Sequence, residues 1–253
     1  MIFEVFFLFI FGACVGSFLN CVIYRLKTKE SFLKGRSFCP KCKHSLGLWD
    51  LIPIVSFVLL KGKCRYCKEK ISLQYPLVEL FSAFSFVFGF FFFKGVSFLF
   101  FSIFSCLLIL AFFFDLKDYQ IPNSILYSLV LVGFLFSLLN FFSKKISLFE
   151  IFLSILPVLF FFLIIFLSKE KLMGWGDFYL LLSLALFLGW PKILIAVFFG
   201  VILGAILGTI LILLSKKTLK SQLPFAPFLV FGFFASILTE KFFFDFFALF
   251  FKI

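Results

Sequence analysis

Acidic residues are scarce in this chain: 12 Asp and Glu stand against 24 Lys and Arg, and most long apolar stretches carry none. An acid met at the edge of such a stretch therefore stands out, because an ionisable group at membrane depth is costly and is functional by default. Histidine occurs once, at His44. A cleavable signal peptide is excluded: the start carries Glu4 rather than a basic segment, its apolar run is too long, and no small-x-small site follows. Residues 1–24 read instead as a first membrane span. No repeat of 20–50 residues is visible, no linker separates a second membrane domain, and no glycine-rich cofactor loop occurs.

What is abundant is apolar. Of 253 residues 64% are hydrophobic, 50 are Phe, and the mean hydropathy is +1.21. Soluble domains average about 45–50% apolar, so the chain reads as an all-α polytopic membrane protein with one soluble insert. Apolar runs of spanning length predict about eight helices: 3–24, 76–93, 96–114, 123–143, 147–168, 177–190, 193–215 and 224–239. Residues 242–253 are too short to span and suit the interface. The domains follow: 1–26 a first helix, 27–75 a cytoplasmic loop, and 76–253 a membrane-embedded domain.

The net charge of +12 suggests nucleic acid, but its distribution argues against that. Half of the basic residues lie between Arg25 and Lys70, in one loop, which is a positive-inside signal. With that loop inside, Lys117, Lys169, Lys171, Lys216, Lys217 and Lys220 also fall inside. Lys94, Lys144, Lys145, Lys192, Lys241 and Lys252 fall outside. The helices then carry Asp115 and Asp177 to the same face at the same depth.

The insert holds four of the seven cysteines, as Cys39-Pro40-Lys41-Cys42 and Cys64-Arg65-Tyr66-Cys67. A two-residue gap lets one turn present two thiolates, and two such pairs suit tetrahedral Zn²⁺. The space between the pairs slightly exceeds the usual ribbon range of about 15–20 residues. Lys41, Lys43, Lys63, Arg65 and Lys68 favour thiolate and offset the charge of a four-cysteine centre. The competing reading, two disulfides or redox pairs, suits a reducing cytoplasmic loop poorly. His44 suits a surface or supporting role, since four thiols complete the shell. Trp49 to Leu60 is apolar but too short to span, and could lay the metal loop against the membrane face over the carboxylates. Cys14, Cys21 and Cys106 read as small core residues.

Asp115 ends the run Phe112-Phe113-Phe114, and Asp177 follows Gly174-Trp175-Gly176. Two carboxyls close together ionise unequally, so one can activate a water while the other donates a proton. Gly174 and Gly176 permit positive φ and close backbone approach. The plainer reading of Asp177 is a helix cap. Asp118, beside Lys117 in a polar turn, is the alternative to Asp115. Pro224 and Pro227 open the last span, where backbone left unpaired could take a substrate as an added strand; a kinked helix start is the plainer reading. Glu79 either snorkels at the interface or joins a polar site under the metal loop.

Taken in order, these residues resemble the type IV prepilin peptidase family, whose members are intramembrane aspartic proteases of the Gly-x-Gly-Asp class. The likeness runs through Gly16-Ser17-Phe18-Leu19-Asn20-Cys21, the paired cysteines, Asp50-Leu51-Ile52-Pro53 and Tyr75-Pro76-Leu77-Val78-Glu79. It continues through Asp115 with Ile121-Pro122-Asn123, then Gly174-Trp175-Gly176-Asp177, and ends in Leu223-Pro224-Phe225-Ala226-Pro227-Phe228. The resemblance implies cleavage of a basic leader from prepilin or pseudopilin precursors at the cytoplasmic face of the bacterial inner membrane. It makes Asp115 and Asp177 the catalytic pair and Cys39, Cys42, Cys64 and Cys67 the zinc ligands. It also implies methylation of the new N-terminal residue from S-adenosylmethionine. The alternatives are a peptidase alone with a purely structural zinc, and a non-enzymatic scaffold or transporter. Tyr179 replaces the family's usual Lys two residues after the second aspartate, and Ala226 replaces a usual glycine.

Overall fold

The computed structural model describes residues 1–31, 35–170, 173–215 and 222–251, the last twelve of these by their backbone alone. Lys34, Lys171, Lys216, Lys217, Lys220 and Lys252, which enter the orientation argument, lie outside the described residues, as does Ile253. The described chain is helical, with two isolated β-bridges and no strand among the described residues.

Among the described residues nine α-helices run α1 Ile2–Thr28, α2 Val55–Leu59, α3 Gln74–Phe92, α4 Val96–Asp118, α5 Asn123–Phe142, α6 Leu148–Ser168, α7 Trp175–Leu188, α8 Lys192–Leu213 and α9 Ala226–Phe251. Eight of them fall on the eight expected spans. Six of these (α1, α3, α4, α5, α6 and α8) are long and apolar enough to cross a membrane, and α7 and the Ala226–Thr239 part of α9 are shorter. The chain is a multi-pass membrane protein. One difference from expectation is that α9 runs on without a break to Phe251, so residues 242–251 are not a separate segment.

The helix ends follow local chemistry. Ser147 and Glu150 close a reciprocal capping box at the start of α6. Lys29 turns left-handed (φ 57°) to end α1, its N–H returning to Arg25 O. Pro122 stands just before α5, where a missing N–H costs nothing.

The chain forms two compact units, Met1–Leu110 and Ala111–Ile253. In the first, α1 packs on α3 at backbone distance. A Cβ at Gly16 would stand 2.6 Å from Glu79 Cα, and one at Gly12 2.8 Å from Ala83 Cα, so only glycine fits either place. Membrane helices associate through such small-residue contacts because lipid supplies no hydrophobic drive. In the second unit α5 packs on α7, with Gly133 against Ser183 O, and α8 packs on α9, with Gly232 against Ala196 O. The core there includes Leu180, Leu184, Ile193, Leu229 and Phe233, all fully buried.

Candidate functional site

The insert between α1 and α3 brings its four cysteines together. The Sγ atoms of Cys39, Cys42, Cys64 and Cys67 all lie within 4.8 Å of one another, and Cys39 and Cys67 are 4.0 Å apart. Thiolates about 2.3 Å from one ion stand roughly 3.8 Å apart in a tetrahedron, so the four could hold a metal ion.

Each pair sits in the same backbone loop. Lys43 N–H and Lys68 N–H return to Cys39 O and Cys64 O, Cys39 N–H and Cys64 N–H bond His44 O and Glu69 O, and Leu46 N–H and Ile71 N–H bond Ser37 O and Gly62 O. Lys43 and Lys68 share a left-handed φ near 60°. The insert is thus two copies of one turn offset by 25 residues. The two copies share little sequence beyond Cys-x-x-Cys-Lys; their likeness is carried by hydrogen bonds.

Crowding sets the thiols against each other. Burial opposes ionisation of Cys64, but the backbone N–H groups of Cys67 and Tyr66 and the neighbouring thiols bring it down to about 7. At Cys67 the Glu69 N–H helps ionisation, yet burial and the thiols of Cys64, Cys42 and Cys39 hold it up at about 11. Four thiolates this close require a cation between them.

Asp50 ties the two turns together, a role its sequence position did not announce. Its carboxylate accepts from Gly47 N–H at 3.1 Å, from Arg65 Nε at 2.7 Å and from Tyr66 OH at 3.2 Å. His44 packs its ring, tilted, against that of Tyr66 at 3.7 Å between centroids. Leu48, Trp49, Val58 and Leu59 are strongly exposed beside these turns.

Glu79 is buried in α3, 8% exposed, so it does not snorkel. Its Oε2 accepts the Ile54 N–H at 2.7 Å, and the Ser17 hydroxyl also bonds it. Its carboxylate therefore fastens the loop just after Asp50-Leu51-Ile52-Pro53.

In the second unit, Asp115 lies in the last turn of α4, 7% exposed. Its Oδ2 accepts the Ala226 N–H at 2.8 Å, and the Phe225 N–H also faces the carboxylate. The bonds have a simple origin: Ala226 is the first residue of α9, whose leading N–H groups have no partner within their own helix. The unpaired backbone at Pro224–Pro227 is thus a helix start, and its donors are taken by Asp115 rather than left for a substrate strand. Asp118 is exposed at the end of α4.

Asp177 is half-buried in the first turn of α7. The cap of that helix is Gly174, whose O accepts the Asp177 N–H at 3.2 Å, so Asp177 is not itself the cap. Its carboxyl draws on the Gly174 N–H and lies within Coulombic range of Asp115. Neither Gly174 nor Gly176 adopts positive φ, and a Cβ would meet nothing closer than 4.0 Å and 3.8 Å respectively. Neither a turn nor a clash demands glycine at these places; a methyl group there would make only ordinary contact. Tyr179 packs edge-on against Tyr127, and Trp175 Nε1 donates to Glu170 Oε1 at 2.6 Å.

Comparison with known proteins matches these two regions to two family models. Residues 10–93 fit the bacterial peptidase A24 N-terminal domain, and residues 102–209 fit the type IV leader peptidase family. A prepilin leader peptidase/N-methyltransferase of Legionella pneumophila is 30% identical over 250 residues, covering 87% of this chain and 86% of the relative. The chain belongs to the type IV leader peptidase family. A relative of the same name from Aeromonas salmonicida is 31% identical over 251 residues, again covering 87% and 86%. One from Myxococcus xanthus is 33% identical over 220 residues, 83% of this chain and 64% of the relative. No solved structure matches the chain. Within this leader peptidase, the first model covers the cysteine insert and Glu79, and the second covers both aspartates.

Proposed function

We propose that this leader peptidase cuts the basic leader from type IV pilin-like precursors at the cytoplasmic membrane face, using Asp115 and Asp177 as its acid–base pair. What supports this is that the two carboxyls come from helices far apart in sequence, yet the charge of Asp115 acts on Asp177. One carboxylate takes a proton from the attacking water, and the other, protonated, gives one to the carbonyl oxygen and then to the leaving amine. The α9 start holds Asp115 from one side, and Gly174 and Gly176, which carry no side chain beside Asp177, are where we place the extended backbone of the substrate.

The same reading gives the protein a second activity, N-methylation of the freed terminus, for which S-adenosylmethionine supplies an electrophilic methyl group when bound. Zn²⁺ is the ion we assign to Cys39, Cys42, Cys64 and Cys67, holding the insert in shape. The exposed Leu48, Trp49, Val58 and Leu59 are the surface we assign to the lipid headgroups, with the loop's lysines meeting anionic lipid.

The test is cleavage of a prepilin in liposomes, read by mass spectrometry, for wild type, Asp115→Asn, Asp177→Asn and Asp118→Asn. Loss of cleavage in the first two and retention in the third is expected. Wild-type cutting by Asp115→Asn or Asp177→Asn would break the pair. A product heavier by one methyl group on addition of S-adenosylmethionine reports the second activity separately.

A further inference from the structure

Glu79 is a buried carboxyl with no cationic partner among the described residues. The described structure gives it only neutral donors, the Ile54 N–H at 2.7 Å and the Ser17 hydroxyl. A buried carboxyl is held ionised only beside an opposite charge, so a cation placed here would find a partner that the neutral donors do not satisfy.

Its surroundings lack the same thing. Asn20, 3% exposed, gives its amide to Tyr75 O at 2.9 Å, which fixes the side chain's orientation and turns Oδ1 away from that bond. Among the described residues that Oδ1 has no partner, and neither does the Oγ of fully buried Ser82. These groups share one seam. Gly16 lies across from Glu79 and Ser82, and Asn20 is one turn further along α1, across from Tyr75. A carboxylate, an orphaned amide oxygen and a serine oxygen together form an acceptor set, and what satisfies it is a small group with several N–H donors and a positive charge.

The cover over this seam is strained. Ile54 sits at φ 63°, ψ −52°, with Val55 N–H turned back to Pro53 O. This is the rare form of γ-turn, and a β-branched residue tolerates it poorly. The Glu79 carboxylate holds that turn through the Ile54 N–H. A ligand that offers the carboxylate a better, charge-assisted donor would release the turn and relieve its strain.

We infer that Glu79, Asn20 and Ser82 form a binding site for a primary α-ammonium group, closed in its absence by the Ile54 turn. The inference rests on the methyl-transfer reading above, which brings two molecules with such a group to this protein. One is the cut substrate, whose new N-terminus is an ammonium followed by an apolar segment. The other is S-adenosylmethionine, through its amino acid end.

The test needs no turnover. Full-length protein in nanodiscs is titrated with a peptide that begins with Phe and continues apolar, with its N-terminus free or acetylated. A second arm compares S-adenosylmethionine with 5′-methylthioadenosine, which lacks the amino acid end. Wild type is expected to prefer the amine-bearing member of at least one pair by about tenfold or more, the value of one charge-assisted hydrogen bond. Glu79→Gln, which keeps shape and removes charge, should bring that preference to about one, and Glu79→Asp should reduce it partly. The arm that responds identifies the source of the ammonium. Metal content and unfolding midpoint confirm that each variant is folded, and Glu79→Asp serves if Glu79→Gln is not. No preference in either arm, or a preference untouched by the Glu79 variants, overturns the inference. Because binding is read without a transferred methyl group, failure here is distinct from failure of the methyl-transfer reading.

Discussion

Asp115 accepts the backbone N–H of Ala226 across 111 residues of chain, at 2.8 Å and buried. The carboxyl is thus placed by the start of a helix in the same unit, and two substitutions at Ala226 separate the N–H from the side chain. Ala226→Gly keeps the donor and removes one methyl group, so stability should change by about 1 kcal/mol or less with cleavage near wild type. Ala226→Pro deletes the donor at a first-turn position where proline is otherwise tolerated. It should cost about 1–3 kcal/mol and lower cleavage well below that of Ala226→Gly. Thermal unfolding with prepilin cleavage on the same preparations checks both; equal cleavage by the two variants would show that the hydrogen bond does not position Asp115.

Gly174 and Gly176 make a contrasting pair with Gly16. At Gly16 any Cβ collides with α3 backbone, so Gly16→Ala should unfold or weaken the first unit. At Gly176 the nearest atom to a new Cβ is Leu126 Cδ1 at 3.8 Å and φ is ordinary. Gly176→Ala should therefore leave the unfolding midpoint within about 0.5 kcal/mol of wild type while reducing cleavage, because the methyl group fills space assigned to the substrate. Unchanged cleavage with unchanged stability would remove Gly176 from the site.

The cysteine cluster predicts a pH-dependent affinity for metal. Cys64 ionises near 7 and Cys67 only near 11, so binding must displace at least the Cys67 proton at neutral pH. Below about 7 it must displace the Cys64 proton too. Affinity, measured by competition with a chromophoric chelator, should rise from pH 6 to pH 8, more steeply per unit at the acid end. Cys39→Ser and Cys64→Ser should each lower metal content well below one ion per chain. A serine variant that retains full stoichiometry would dissolve the four-cysteine assignment.

The eight apolar runs were legible as helices because a lipid-facing segment must satisfy its backbone internally and can only be long and apolar. The metal ligands were legible because two-residue spacing is a local property of one turn. Other features depend on partners distant in sequence. Nothing near Asp50 signals that it accepts from Arg65 and Tyr66, and nothing near Pro224 signals that the free N–H groups beyond it are already taken by Asp115. Glu79 was ambiguous for the same reason: its partners, the Ile54 N–H and the Ser17 hydroxyl, lie 25 and 62 residues away. The glycines before Asp177 were expected to serve a turn with positive φ, and their ordinary φ values show that residue type alone does not announce a turn.

Asp50 offers the last test, through the sign of its pH dependence. Burial would raise its pKa, but the Gly47 N–H, the Arg65 guanidinium and the Tyr66 hydroxyl together hold it below the ordinary carboxylate range. A depressed acid contributes stability that is fully present above its unfolded value, near 4, and is lost as pH falls through the lower folded value. The contribution is therefore flat from pH 5 to pH 8. Arg65 is half exposed, so solvent screening keeps the loss in Asp50→Asn to about 1 kcal/mol, and it should be the same across that window. Hydrogen exchange of the loop amides in metal-loaded protein, wild type against Asp50→Asn, measures the difference directly. A gap that narrows between pH 8 and pH 5 would mean that Asp50 protonates in that window, which the three donors around its carboxylate forbid.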